Sequence, residues 1–455
     1  MNRFRLLLHT VPLAVVATMA PAPPAETETT VRTGGIDGVP YRVEVPSHWN
    51  GTLLLWSHGA YSLEAPAPSD IELTNHPATR QWLLDRGYAL AASKFRTPRG
   101  WGAVESGLKD QIALLDWFTT KIGKPERTIS AGASAGGLTA VLLAERNPGR
   151  FAGVASLCGV VGGTTGHFNS ALDANFAIKT LLAPSLDVVK IKDPQTNTTN
   201  ARRALGAALA SPAGRARLAL AAALADIPAR YTARAPAPDT IASQVEQQTY
   251  YAAYDRGAFW GLNRADIEQR AGGNPSWNTG VNYRTLLARS TQKALVARAY
   301  SDAGLSLRED LARLNAAPRI KADTKAVRYL NRYGTPTGRT TAPVITVHST
   351  GDGNVPTDNQ RRYATKMHRA DLRQLYVDRG YHCTFTASEE IVTLQTLLTR
   401  VKTNRWPTTN PNPLNKAAAE LAPETQTVFD TDPEPGLHPT TPSFTHHTPG
   451  PYLRP

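Results

Sequence analysis

Residues 127–138 read RTISAGASAGGL, and this stretch decides the fold. Its first five residues have the pattern of a strand, and a helical pattern begins at Gly136. Between strand and helix, Ser134 has a glycine two residues before it and two residues after it. Glycine at both places permits a sharp strand-to-helix turn, which holds a serine hydroxyl exposed at the edge of a sheet. The stretch therefore predicts a nucleophilic serine on an α/β scaffold; the alternative is a glycine-rich turn with an incidental serine.

Strands and helices alternate on both sides of this turn. Apolar runs at 52–56, 89–92 and 154–157 predict strands, and apolar positions at helical spacing within 103–120 predict a helix. Such alternation is typical of a mostly parallel central sheet that is flanked by helices on both faces. The fold class that we expect is therefore α/β.

The alternation stops after residue 163 and resumes with an apolar strand at 343–347. The intervening residues are rich in Ala, Arg, Gln and Asn and have mainly helical patterns. We therefore predict a large, mainly helical cap that is inserted between two late strands of the sheet. The predicted segments are a signal peptide at 1–25, the first part of the core at 26–163, the cap at 164–340, the second part of the core at 341–405 and a Pro/Thr-rich C-terminal extension at 406–455.

The partners of the serine are predicted from their order along the chain. A serine hydroxyl is a weak nucleophile, so it needs a base that an acid orients. On a scaffold of this type the acid follows a late strand and the histidine follows the last one. Asp352 follows the strand at 343–347, and His382 follows the strand at 373–377. We predict that Ser134, Asp352 and His382 form a catalytic triad.

Other residues compete for two of these roles. Asp358 and Asp378 are alternative candidates for the acid. His348 is a poorer base than His382 because it lies too close to the strand, and His368 lies in a predicted helix.

Two backbone N–H groups are needed to bind the oxyanion that forms when the serine attacks a carbonyl group. The first is predicted at Ala135, directly after the nucleophile and at the positive end of the following helix. The second is expected in the loop that follows an early strand, where Gly59 lets the backbone approach closely. Ala60 is the first choice for this donor and Tyr61 is the second; the alternative is that His58-Gly59 only ends a strand.

These motifs together resemble the α/β-hydrolase superfamily. They are His58-Gly59, the glycine-bracketed Ser134, Asp352 and His382. More narrowly, the chain resembles secreted actinobacterial hydrolases that are grouped with serine esterases and prolyl-oligopeptidase-like enzymes. The resemblance covers 31–163 and 342–402, and the cap is not diagnostic of a substrate.

The resemblance implies hydrolysis of a carboxylic ester, in a small molecule or a polymer, through an acyl-enzyme on Ser134. The alternatives are a serine peptidase or amidase of the same fold and a non-catalytic binding protein. The reaction needs no cofactor, and we expect no metal site.

The two cysteines of the chain are predicted to form a disulfide. Cys158 ends the strand that follows the nucleophile helix, and Cys383 adjoins His382. Strand ends on the active-site side of one sheet bring the two close, and the bond would tether the histidine loop. The arrangement is similar to that of feruloyl esterases and tannases, although those enzymes have a cysteine beside the serine and this chain has Ala133 there.

Aromatic residues are candidates for the substrate pocket. Trp101 follows a strand on the active-site side, and Tyr250, Tyr254 and Trp260 cluster within the cap. The alternative is that these rings pack the cap onto the core.

The ends of the chain and its charge suggest where it acts. Residues 1–25 combine a basic start, a short apolar stretch and small residues, which predicts a secretory signal peptide and an extracellular protein. No later segment has the length and apolarity of a membrane span. The net charge of +13 favours anionic surfaces or substrates, but no basic cluster with interleaved aromatic residues predicts nucleic-acid binding. The oligomeric state is left open.

Overall fold

The computed structural model describes residues 28–255, 260–430 and 434–454 of the 455-residue chain. The predicted signal peptide at 1–25 lies outside the described residues. Among the described helices, none is long and apolar enough to cross a membrane.

A mixed, mostly parallel sheet forms the centre of the described structure. Its strands stand in the order β1-β2-β4-β3-β5-β6-β7-β8-β11, and the six from β4 to β8 are mutually parallel. The strands β1, β2 and β11 pair antiparallel at the two edges. The strands are β1 (Thr29–Ile36), β2 (Val39–Pro46), β3 (Thr52–Ser57), β4 (Ala89–Ser93), β5 (Arg127–Ala133), β6 (Gly153–Leu157), β7 (Val344–Gly351), β8 (Leu372–Gly380), β9 (Thr427–Asp430), β10 (Gly436–Pro439) and β11 (Phe444–Thr445).

Helices cover both faces of this sheet, which is why its central strands are apolar on both sides. One face packs against α2, α3 and α13 through residues such as Phe118, Val141 and Tyr363. The other packs against α1 and α14 through residues such as Leu83 and Ile391. The core helices are α1 (Pro77–Leu84), α2 (Gly102–Lys121), α3 (Ala135–Arg146), α13 (Asp358–Ala364) and α14 (Ala387–Thr403). The predicted α/β-hydrolase fold class is confirmed by this architecture.

The residues between β6 and β7 are helical and have an apolar core of their own, which includes Leu220, Tyr283 and Trp260. The helices are α4 (Thr164–Leu181), α5 (Pro194–Leu209), α6 (Pro212–Leu224), α7 (Ile241–Tyr250), a π-helix (Tyr251–Asp255), α8 (Leu262–Ala271), α9 (Tyr283–Arg289), α10 (Lys293–Asp302), α11 (Leu307–Ala316) and α12 (Thr324–Gly334).

The C-terminal extension packs on both the sheet and the cap. It forms α15 (Pro411–Ala419), the β9-β10 hairpin and β11, which adds an edge strand beside β8. Farther on, the Tyr452 hydroxyl donates to the carbonyl oxygen of Gly163 at 3.2 Å. The Arg454 guanidinium lies 3.1 Å from the buried carboxyl group of Asp173 in α4. The extension therefore connects the edge of the core to the cap.

Candidate active site

Ser134 occupies a strained turn between β5 and α3. Its backbone has φ 57° and ψ −123°, a conformation that L-residues rarely adopt. A Cβ on Gly132 would lie 2.4 Å from the carbonyl oxygen of Gly136, and a Cβ on Gly136 would lie 2.0 Å from that of Ser57. Glycine is therefore required on both sides of the serine because the backbones of the turn and of β3 are in direct contact.

The carboxyl ends of three parallel strands of the sheet bring the three predicted triad residues together. Ser134 follows β5, Asp352 follows β7 and His382 follows β8. The hydroxyl of Ser134 lies 2.8 Å from Nε2 of His382, and Nδ1 of His382 lies 2.6 Å from Oδ2 of Asp352. With the proton on Nδ1 donated to Asp352, Nε2 accepts the hydrogen bond of Ser134. This is the geometry in which a histidine can act as a general base.

Asp352 is fully buried and is kept ionised by its partners. Its Oδ1 accepts hydrogen bonds from the N–H groups of Asn354 and Val355 at 2.9 and 2.8 Å. Burial on its own raises the pKa of this carboxyl, but attraction to His382 and hydrogen bonds from His348 and His382 lower the pKa below its usual range. The carboxylate can therefore stabilise the charged form of His382.

The competing acids lie elsewhere. Asp378 is 62% exposed and pairs with Arg230 at 2.7 Å. Asp358 lies in the first turn of α13. Asp352 is the candidate acid that lies within hydrogen-bond distance of His382.

A second histidine contacts the acid, a role that was not predicted from the sequence. Nε2 of His348 donates to the carbonyl oxygen of Val355 at 2.6 Å and lies 3.3 Å from Oδ2 of Asp352. Its Nδ1 accepts a hydrogen bond from Gln360 at 2.8 Å. His348 was set aside as too close to the strand to be the base; the same proximity places it against the acid. We infer that it holds the loop of Asp352 in place.

The loop after β3 lies against the nucleophile. A Cβ on Gly59 would be 3.3 Å from the Cβ of Ser134, so glycine permits this close approach. The buried ring of His58 has its Nδ1 2.6 Å from the carbonyl oxygen of Gly59, and it stacks on Tyr61 with 4.4 Å between ring centroids. His58 therefore fixes the backbone of the loop.

Of the three predicted oxyanion donors, Tyr61 has its N–H group bonded elsewhere. The N–H of Tyr61 donates to the carbonyl oxygen of Pro98 at 3.1 Å, which corrects its assignment as an alternative oxyanion donor, because that group is already paired. Ala135 is the first residue of α3, where N–H groups have no partner within the helix. Ala60 and Ala135 remain our predicted donors.

Cys158 and Cys383 form a disulfide with 5.3 Å between their Cα atoms. Cys383 and Tyr381, the two neighbours of His382, both have positive φ angles, of 59° and 62°. Non-glycine residues persist in this conformation only where the surrounding structure holds them. The disulfide is one such restraint on the histidine loop.

A buried ion pair between β8 and α14 holds the two ends of the same loop. Arg379 contacts both carboxylate oxygens of Glu389 at 2.6 and 3.1 Å, and it also donates to the carbonyl oxygen of Thr384. Glu389 in turn accepts from the N–H of Thr386, which completes the cap of α14. The pair joins the end of β8 to the start of α14 on either side of the histidine loop.

The predicted pocket residues have different surroundings. Trp101 is half-buried and packs against the cluster that contains Ala135 and against Phe168, at 5.1 Å between centroids, so its role in the pocket stays a prediction. Tyr250 is half-buried, and its hydroxyl contacts Glu246. The side chain of Tyr254 lies outside the described part of the structure. Trp260 is 1% exposed in the cap core, which corrects its assignment to the pocket, because a ring without accessible surface packs the cap instead.

Comparisons with known proteins agree with this description. A sequence model of the prolyl oligopeptidase family matches residues 79–176, which include Ser134. Over 420 residues the chain is 29% identical to o-phthalyl amidase of Xanthobacter agilis, which covers 84% of this chain and 89% of that protein.

Solved structures of similar proteins show low sequence identity. A puromycin hydrolase matches 85% of this chain with 12% identity and a TM-score of 0.37, and the chain spans 41% of its length. Est1E from Butyrivibrio proteoclasticus matches 78% of this chain and 90% of its own, with 12% identity and a TM-score of 0.33. Sheet order, the serine turn and the position of each site residue after its strand are the features of one large group of enzymes. The chain therefore has the α/β-hydrolase fold, and its site has the Ser-His-Asp geometry of a serine hydrolase.

Proposed function

We propose that the protein hydrolyses carboxylic esters through an acyl-enzyme on Ser134. The observation that carries the proposal is the continuous hydrogen-bonded chain from Ser134 through His382 to the buried Asp352. A nucleophile, a base and an orienting acid at these distances are the groups that acyl transfer needs.

The first half of the reaction forms the acyl-enzyme. Oγ of Ser134 attacks the carbonyl carbon of the substrate while its proton passes to Nε2 of His382. The N–H groups of Ala60 and Ala135 stabilise the oxyanion, and Asp352 stabilises the charged imidazole. As the ester C–O bond breaks, His382 returns the proton to the leaving alkoxide.

The second half reverses these roles. Water, deprotonated by His382, attacks the acyl carbonyl carbon, and the released proton returns to Oγ of Ser134 as the C–O bond to the enzyme breaks. The products are a carboxylic acid and the regenerated enzyme. Every step uses groups of this chain.

An amide is the second candidate substrate, favoured by the similarity to o-phthalyl amidase over most of both chains. An amine leaves less readily than an alcohol, so His382 must protonate the nitrogen before the C–N bond breaks. The same residues can perform this step. Because that relative is an o-phthalyl amidase, an o-phthalyl amide is the first amide to test.

The experiment compares matched esters and amides. We would measure kcat/KM for p-nitrophenyl esters of increasing acyl length and for p-nitroanilides with the same acyl groups, including the phthalyl group. Ser134→Ala tests the nucleophile. Ser47→Ala, which changes an exposed serine directly after β2, is the matched control.

The outcomes separate the candidates. Ester turnover that is lost in Ser134→Ala and kept in Ser47→Ala supports the proposal. Anilide turnover at a comparable kcat/KM moves the assignment to an amidase. Ester turnover that survives in Ser134→Ala refutes the mechanism.

We also propose that residues 1–25 direct export. The disulfide supports this proposal because such bonds persist mainly in oxidising compartments. Expression of the full chain in a bacterial host, followed by N-terminal sequencing of the protein in the medium, tests it. A protein that stays in the cells with its first residues intact contradicts it.

A further inference from the structure

The hydroxyl group of Tyr251 joins the loop of the catalytic acid to the loop of the catalytic histidine. Tyr251 belongs to the cap and is fully buried. Its hydroxyl donates to the carbonyl oxygen of Gly351 at 2.7 Å and accepts from the N–H of Tyr381 at 3.0 Å. The carbonyl oxygen of Arg230, at 3.1 Å, is a second and longer acceptor for the same proton. Gly351 immediately precedes Asp352, and Tyr381 immediately precedes His382. One cap oxygen is therefore bonded next to both partners of the nucleophile.

Two glycines, one directly after Asp352 and one two residues before His382, make room for the cap. A Cβ on Gly353 would lie 2.4 Å from the ring of Tyr251. A Cβ on Gly380 would lie 2.2 Å from the carbonyl oxygen of Thr232, which is also a cap residue. The loops of Asp352 and His382 are thus built to receive the cap in direct contact.

The backbone around this contact is unusual on both sides. Tyr251 begins a π-helix, a form that is rare and that occurs frequently at functional sites. Tyr381, which donates to it, has φ 62°. A strained residue keeps its conformation only if its surroundings fix it, and the bond to Tyr251 does so for the residue before His382.

We propose that Tyr251 is a positioning residue, through which the cap sets the alignment of Asp352 and His382 for catalysis. The inference rests on the proposed function, because it assigns Tyr251 to the same triad. It makes the cap a part of the catalytic framework in addition to any role in substrate binding. The ring and the hydroxyl have separate tasks: the ring fills the space beside Gly353, and the hydroxyl ties the two loops together.

Tyr251→Phe removes the hydroxyl and keeps the ring. We expect kcat for the best substrate to fall by about 10- to 100-fold with KM changed by less than about 3-fold, since small misplacements of catalytic groups have effects of this size. The proton on Nδ1 of His382, which lies in a 2.6 Å hydrogen bond, supplies a second readout. Its downfield signal in the proton NMR spectrum should shift or broaden in the variant.

Tyr300→Phe is the matched control. Tyr300 is another buried cap tyrosine, whose hydroxyl bonds to Asp310. Its loss should lower stability in a similar way but leave kcat and the His382 signal unchanged. If Tyr251→Phe does not fold, the Gly353→Ala variant displaces the same ring while the hydroxyl is kept, and it should give the same loss of kcat.

Two results would overturn the proposal. One is a folded Tyr251→Phe protein with the kcat and the His382 signal of the wild type. The other is an equal loss of kcat in Tyr300→Phe, which would show only a general effect of cap stability. Survival of activity in Ser134→Ala would instead refute the proposed function, so the two failures are distinguishable.

Discussion

Reduction of the Cys158–Cys383 disulfide should destabilise the protein strongly and slow catalysis. The bond links residues 225 positions apart, so its loss frees a long loop in the unfolded chain. By the loop-entropy relation, a loop of 225 residues corresponds to about 5 kcal/mol of unfolding free energy. Because Cys383 adjoins His382 and has a positive φ, its release should also loosen the histidine loop and lower kcat by about tenfold or more.

Urea unfolding followed by tryptophan fluorescence measures the first effect. At a slope of roughly 3 kcal/mol/M, the loss of about 5 kcal/mol corresponds to a fall of about 1.7 M in the unfolding midpoint on adding reductant. The double variant Cys158→Ala/Cys383→Ala is the control and should show the low midpoint with or without reductant. Coincident midpoints for the oxidised and reduced wild type, or two free thiols in the denatured, unreduced protein, would refute the reasoning.

Further predictions concern Gly136, Asp352, Asp173 and Arg379. Gly136→Ala should abolish folding or activity, because its Cβ would overlap a backbone oxygen at 2.0 Å; a soluble, fully active variant would contradict this. Asp352→Asn should lower kcat by about three to four orders of magnitude. Since the pKa of Asp352 is lowered in the native state, the ionised group stabilises the wild type above about pH 4, and this stabilisation is lost as the pH falls below that value. The urea midpoint of Asp352→Asn should not show this part of the fall at low pH. Burial raises the pKa of Asp173 to about 7. Between about pH 4 and pH 7, native Asp173 therefore keeps its proton while the unfolded chain releases it, so the free energy of unfolding should fall across this range in the wild type and not in Asp173→Asn. Arg379→Met should cost about 3–5 kcal/mol by leaving buried Glu389 unpaired, and Arg379→Met/Glu389→Leu should recover part of it by the same urea assay.

The sequence was sufficient for those parts of the site that depend on short segments. The turn at Ser134 is determined by five consecutive residues, and the order of Asp352 and His382 after late strands follows from the parallel sheet. The cysteine pair also followed from this topology, because strand ends of one sheet meet at one edge. In each case the spacing along one strand or loop carries the information.

The supporting contacts depend on packing between distant segments, which no local pattern contains. Tyr251 lies 100 residues from Gly351 and 130 from Tyr381, and the sequence shows only one more aromatic residue in a cluster. Trp260 belongs to the same cluster but packs in the cap core. Which of these rings faces the triad depends on how the cap helices are rotated, and that is decided by tertiary packing.

At this site the positive φ angles belong to residues other than glycine. Glycine commonly marks a left-handed backbone, but Gly132, Gly136 and Gly353 lack one and are required by space alone. The left-handed positions are held instead by residues whose side chains are needed, Ser134 and Cys383 among them. Such strain is costly for any residue with a Cβ, at about 1–3 kcal/mol each, so it must be offset by surrounding bonds. Three restraints offset this strain: the disulfide, the Tyr251 hydroxyl and the Arg379 ion pair. Removal of any one of them should therefore change the geometry of His382 before it changes the fold of the sheet.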